Sequence, residues 1–230
     1  MGVANLIKLI LLEGKKLKRR IVIGEVIIYW IALMFLPLLF IKQVSADFGN
    51  SFTTVMELNK AIQTGLILFG ASLINQVFID EFKNKTISLA YSYPINRKQL
   101  FTAKILFIAL LVFLATLISY TLTAVSTYLI DQVHPFIMGE FNPDNILLYF
   151  KDMIFRSFQI TVISFIPLYF LGIWKRLTIP TVLCAILIMQ LLNFAPMLNL
   201  NIDLLIVVLV LLGGLSIILS IFKVKKVGEI

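Results

Sequence analysis

The chain has 230 residues, of which 60% are hydrophobic and only 14% charged, with a net charge of +8. An ordinary soluble domain carries roughly 45–50% apolar and about 25% charged residues, so this composition excludes a soluble enzyme, an extended nucleic-acid binder and a disordered scaffold. One cysteine (Cys184) and one histidine (His134) leave no material for a disulfide framework, a multi-cysteine zinc site or a histidine-based metal or catalytic cluster.

The predicted class is therefore an all-α polytopic membrane protein, a single transmembrane domain over 1–230. Residues 1–20 hold an amphipathic piece in which Val3, Leu6, Ile7, Ile10 and Leu11 recur every three to four positions, followed by a basic cluster. Two readings fit: an elbow helix lying in the membrane interface, or a plain basic anchor. Six apolar stretches follow, and each is long enough to cross a ~30 Å bilayer core as a helix of ~20 residues. They cover about 21–41, 61–79, 105–130, 153–174, 177–195 and 203–222. None alternates apolar and polar residues as a barrel strand does, and lipid offers open backbone no partner, so each is predicted helical. The first stretch exceeds a signal-peptide core and holds Glu25 and Pro37, so it reads as a retained span.

Lysine and arginine fall unevenly between the loops. With the N-terminus inside, Lys8, Lys15, Lys16, Lys18, Arg19, Arg20, Lys83, Lys85, Arg97, Lys98, Lys104, Lys175, Arg176, Lys223, Lys225 and Lys226 are cytoplasmic. Only Lys42, Lys60, Lys151 and Arg156 lie outside. This bias predicts cytoplasmic termini in the cell membrane. The positive charge then reflects topology and attraction to anionic membrane lipid, not a nucleic-acid partner.

The outer loops, Lys42–Lys60, Asp131–Asp152 and the link around Pro196–Asp203, are short, and Asn142-Pro143-Asp144 reads as a helix start. On the inner face, a tight Lys175-Arg176 turn joins spans four and five. The segment 80–104 is the longest inner polar stretch. Its Ile87, Leu89, Tyr91 and Tyr93 are too apolar for a loop facing only cytosol. They fit either a docking surface for a soluble partner or a loop returning to the headgroups. Thr86 is placed to cap a short helix and Pro94 to end it.

Little else carries chemistry. The chain has neither a phosphate-binding G-x-x-x-x-G-K-[ST] loop nor an H-E-x-x-H pair, so no catalytic residue, metal or cofactor is expected on it. Glu25 is expected either to pair with Arg19 or Arg20 or to serve inside the bundle, and Arg156 either to pair with Asp152 one turn away or to face the substrate. Gly213-Gly214 is expected to mark close helix packing, and Pro37 and Pro167 to kink their helices. Gln76, Gln159, Gln190 and Asn193 read as amides that bind helices together. Thr116, Ser119, Tyr120, Thr123 and Thr127 share one face of the third span. That stripe is either an interhelical seam or the lining of a path through the bundle.

The inner segment also resembles a family. Membrane subunits of ABC-2 type exporters carry E-x-x-x-G-T-x-x-x-L-x-x-x-P-[IV]-S-R ahead of a lysine that opens the third span. Here Glu81, Thr86, Leu89, Pro94, Ile95, Arg97 and Lys104 stand in that order, with Lys85 and Asn96 in place of the glycine and serine. Glu13, Lys16 and Arg19 resemble the family's approach to span one. The resemblance implies a permease of two such subunits, alike or different. Each would be bound from the cytosol by an ABC ATPase that holds the ATP and Mg. Glu81, Thr86, Ile87, Leu89, Tyr91, Pro94 and Arg97 would belong to the coupling segment. The small size resembles Gram-positive permeases that export amphipathic peptides. A substrate-capturing subunit of an energy-coupling-factor importer is the alternative.

Overall fold

The computed structural model describes residues 3–48, 52–84, 97–133 and 143–223, and every regular element among them is helical. The amphipathic piece at the N-terminus is α1 (Val3–Lys16), and the first predicted span falls in α2 (Arg19–Phe48). A continuous run follows: α3 (Phe52–Ile62), a 3-10 turn (Gln63–Gly65), α4 (Leu66–Ile74), a π turn (Asn75–Ile79) and α5 (Asp80–Lys83). Next come α6 (Arg97–Val133), α7 (Pro143–Ile163), a π segment (Leu168–Lys175), α8 (Thr178–Phe194) and α9 (Ile202–Lys223).

Among the described residues, four stretches are long and apolar enough to cross a membrane: Val55–Lys83, Arg97–Val133, Leu147–Lys175 and Ile202–Lys223. The apolar α8 is shorter, at 17 residues, or about 26 Å at the helical rise. The helices overrun the predicted boundaries where the sequence holds no breaker. No glycine or proline occurs between Arg97 and Val133. The 37-residue α6 is therefore about 56 Å long, starting inside the predicted inner loop. The expected outer loop Lys42–Lys60 is corrected in the same way, because α2 continues to Phe48 and α3 begins at Phe52. The start signal at Asn142-Pro143 holds, with Pro143 opening α7, where its missing N–H and fixed φ are harmless.

α6 is the hub of the bundle, packing against α1, α2, α4 and α7, while α8 lies on α4 and α9 on α7 and the π segment. The Trp30 indole N–H of α2 donates to the Ala115 carbonyl of α6 at 3.0 Å. Outward faces stay apolar, as at Leu110, Leu187 and Leu211, which suits a surface covered by lipid rather than water.

Just before Pro167 the α-helix that ends at Ile163 passes through a turn at Ser164 and Phe165 and goes on as the π segment from Leu168. Proline supplies no N–H there. Ser216 of α9 covers the turn: its hydroxyl accepts from the Tyr169 N–H at 3.0 Å and donates to the Ile166 carbonyl at 3.1 Å. Such a repair needs close helices. A Cβ on Gly213 would sit 2.2 Å from the Val162 carbonyl oxygen, and one on Gly70 would sit 2.4 Å from the Ser164 Cβ. Gly214 meets nothing within 4 Å, so only the first glycine of the pair is the packing residue.

Candidate functional site

One end of the bundle gathers charge around Lys104, on the second turn of α6. Its ammonium is 2.9 Å from Glu13 Oε2 of α1 and 2.8 Å from Glu81 Oε1 of α5. It also donates to the Val77 carbonyl at 3.2 Å and lies 5.7 Å from the Phe78 ring centre. Val77 belongs to the π turn, a kind of distortion that collects at functional sites. Lys16 completes the node, donating to Glu13 at 2.9 Å with Glu81 at 3.7 Å. Lys104 and Glu13 are almost fully buried, each with 3% of the side chain exposed. A lone charge there would be costly, but two cations facing two carboxylates leave the node neutral. Burial alone would lower the Lys16 pKa. The Glu13 hydrogen bond and the Glu13 and Glu81 charges outweigh it and hold the pKa above the ordinary lysine value.

The same few residues of α5 grip the opposite side of the bundle. The Arg176 guanidinium lies 4.3 Å from the Phe82 ring centre, and Lys83 donates to the Thr178 hydroxyl. Arg176 adopts the left-handed backbone conformation, φ 54°, that the tight turn between the π segment and α8 requires. α5 is thus tied to α1 and α6 by its carboxylate, and to the turn before α8 by Phe82 and Lys83. Of the predicted coupling residues, Glu81 sits in this node and Arg97 opens α6. Thr86, Ile87, Leu89, Tyr91 and Pro94 lie outside the described residues.

The predicted polar stripe on α6 is buried along its whole length: Thr116, Ser119, Tyr120, Thr123 and Thr127. Thr116, Thr123 and Thr127 donate to carbonyls of their own helix, Val112, Ser119 and Thr123, at 2.6, 2.8 and 2.7 Å. Two bonds cross between elements. The Gln63 amide of the 3-10 turn donates to the Thr123 hydroxyl at 3.1 Å, and the Tyr149 hydroxyl of α7 donates to the Tyr120 carbonyl at 3.1 Å. Several buried polar atoms have no hydrogen-bond partner, namely Asn59 Oδ1, Gln63 Oε1, Ser119 Oγ, Tyr120 Oη and Ser157 Oγ. Sequence reasoning missed Asn59, Gln63, Tyr149 and Ser157. They sit on three other elements, and only packing brings Gln63 and Tyr149 onto the stripe.

Three pairings differ from expectation. Glu25 faces α4 and the π turn rather than an arginine: Ser72 donates to its Oε1 at 2.6 Å and Gln76 to its Oε2 at 3.1 Å. Asp152 pairs with Lys60 of α3 at 2.5 Å, and Arg156 lies 3.8 Å from Asp203 of α9. These partners are far along the chain, and a side chain that joins two elements takes precedence over a neighbour on its own helix surface. Asn193 meets the Thr64 hydroxyl at 3.2 Å, in keeping with an amide that binds helices together.

Over 189 residues the chain is 30% identical to the protein YcbO of Bacillus subtilis (strain 168), spanning 80% of this chain and 82% of that protein. Residues 9–193 match the family described as ABC-2 family transporter protein. The match takes in Glu13, Glu81, Lys104 and the polar stripe, and the chain belongs to the ABC-2 family of transporter membrane proteins.

Proposed function

We propose that the chain is the permease subunit of an ATP-binding-cassette exporter, with six spans and both termini in the cytosol. A separate ATPase, carrying the ATP and Mg, docks on the inner segment 80–104. Two permease subunits, alike or different, form the pathway, and the cargo is an amphipathic peptide or another hydrophobic molecule. The observation that carries this reading is the double grip on α5. Its Glu81 is bonded to Lys104 of α6, while its Phe82 and Lys83 engage Arg176 and Thr178. A displacement applied where the inner loop leaves α5 reaches the interfacial helix, the hub helix and the turn before α8 together. Such coupling needs contacts that differ between two states of the bundle, because equal affinity for both shifts nothing.

The buried stripe of α6 is the part of the bundle proposed to line the pathway when it opens. Its unpartnered hydroxyl and amide atoms are groups that water or a passing polar backbone can satisfy. Co-expression with the ABC ATPase encoded nearest to this chain tests the reading. A tagged permease is expected to retain the ATPase through purification, and Leu89→Asp or Pro94→Asp is expected to release it. Undiminished association in both variants would overturn the docking site.

A further inference from the structure

The contacts of Glu25 leave its charge without a counterpart. Both carboxylate oxygens accept hydrogen bonds, from the Ser72 hydroxyl at 2.6 Å and the Gln76 amide at 3.1 Å. Gln76 also reaches the Ser72 hydroxyl at 3.4 Å. This is the solvation pattern of an anion held by two neutral donors. No lysine or arginine reaches Glu25 among the described residues, in contrast to the balanced node around Lys104. Gln76 keeps a buried carbonyl oxygen, Oε1, with no hydrogen-bond partner. The two carboxylate oxygens make an acceptor pair suited to a group with N–H donors. Tyr29 follows Glu25 by one helical turn, with its ring edge-on to Phe69 at 6.2 Å. Ile21 and Ile28 on the same helix are exposed, so the approach to Glu25 runs along apolar surface.

We infer that Glu25, Ser72 and Gln76 form a binding site for the ammonium head of an amphiphile that enters sideways from the cytoplasmic leaflet. The depth agrees. Glu25 lies six positions past Arg19, the start of α2, or about 9 Å along the axis, where the head of a molecule lying in the leaflet meets its chain. The inference rests on the exporter reading for its direction and narrows the cargo class to amphiphiles bearing a positive group.

The test uses the purified chain in phosphatidylcholine nanodiscs and two fluorescent probes. One is a dansylated alkyl diamine with a free ammonium, the other a dansylated alkyl carboxylate. Binding is read as saturable energy transfer from tryptophan, Trp30 lying five positions from Glu25. The ammonium probe is expected to bind about tenfold more tightly than the carboxylate probe, the factor that a charge-assisted hydrogen bond supplies. Glu25→Gln is expected to erase the preference and Glu25→Asp to keep it. Ser72→Ala, which retains the charge, is expected to weaken the ammonium probe severalfold. Adding phosphatidylethanolamine to the discs separates two sources of the same chemistry: displacement of the probe assigns the site to a lipid head, and no displacement assigns it to a cargo-like amphiphile. Equal affinity for the two probes, or a Glu25→Gln variant indistinguishable from the parent, would overturn the inference. ATPase retention is scored separately. Lost retention with intact ammonium binding strikes the exporter reading alone, and the reverse strikes only this site.

Discussion

The end of the bundle around Lys104 and its middle are held together by different chemistry. At the inner end, Lys104, Lys16, Glu13 and Glu81 form a neutral set of ion pairs reaching across α1, α5 and α6. In the middle, the polar groups of α6 mostly bond their own backbone, and the bonds from the stripe to other elements are between neutral groups, as at Gln63–Thr123 and Tyr149–Tyr120. Helices there are joined by close backbone approach, as at Gly213 and Val162. Paired charges fix geometry, because any relative movement exposes an uncompensated ion. Hydroxyls bonded within their own helix cost a neighbour little when it slides. A rigid inner end beneath a sparsely cross-linked middle is the mechanical arrangement a driven transporter needs.

The largest expected effect comes from breaking the rigid end. Lys104→Met leaves the buried Glu13 and the partly buried Glu81 with Lys16 as the cation beside them and is expected to cost about 3–5 kcal/mol, read as a lowered unfolding temperature in detergent. A loss no greater than that of a surface lysine would remove the distinction between the two regions. Gly213→Ala comes next. Its new methyl meets the Val162 carbonyl, and overpacking of this kind costs about 1–3 kcal/mol. Gly214→Ala, in open space, is expected to match the parent in the same assay. Within the seam, Thr123→Val removes the acceptor of Gln63 and is expected to cost only about 0.6 kcal/mol, the average for an interhelical hydrogen bond in a membrane protein. A cost approaching that of Lys104→Met would show the middle to be as tightly fixed as the inner end.

The smallest effect is a pH dependence. The Lys16 pKa is raised in the folded chain above the ordinary 10.5, so its contribution is fully present below that value. It fades as the pH rises through the higher folded value. Parent and Lys16→Met are therefore expected to differ in unfolding temperature at neutral pH and to converge above pH 10.5. A difference that grows with pH would contradict the assigned sign.

Much of this was legible in the sequence. Apolar runs of ~20 residues give helices because lipid leaves the backbone no alternative, and Glu13, Lys16, Glu81 and Lys104 stood out by resemblance. Their mutual contact was not legible. Glu13 and Lys104 are 91 positions apart, and nothing local says which carboxylate an ammonium will meet. The apolar stripe of α1 misled in part for the same reason. Leu9 and Glu13 are the residues buried, while Ile7 and Leu11 stay exposed, because Glu13 turns toward Lys104. Helix ends were underestimated where hydropathy falls but no breaker intervenes, as at Arg97–Lys104. The π turns at Asn75–Ile79 and Leu168–Lys175 have no composition of their own to announce them, though Pro167 marked the second.

The central claim is that the node around Lys104 passes the ATPase's motion into the bundle. The most direct measurement is the distance between spin labels on exposed Leu147 of α7 and Leu204 of α9, in the permease–ATPase complex, with and without ATP. The parent is expected to show an ATP-dependent change. The triple variant Glu13→Leu, Glu81→Leu, Lys104→Met replaces the charges with apolar groups, an exchange that stability often tolerates, and is expected to keep the ATPase bound while losing the change. An undiminished ATP-dependent change in the triple variant would contradict the account.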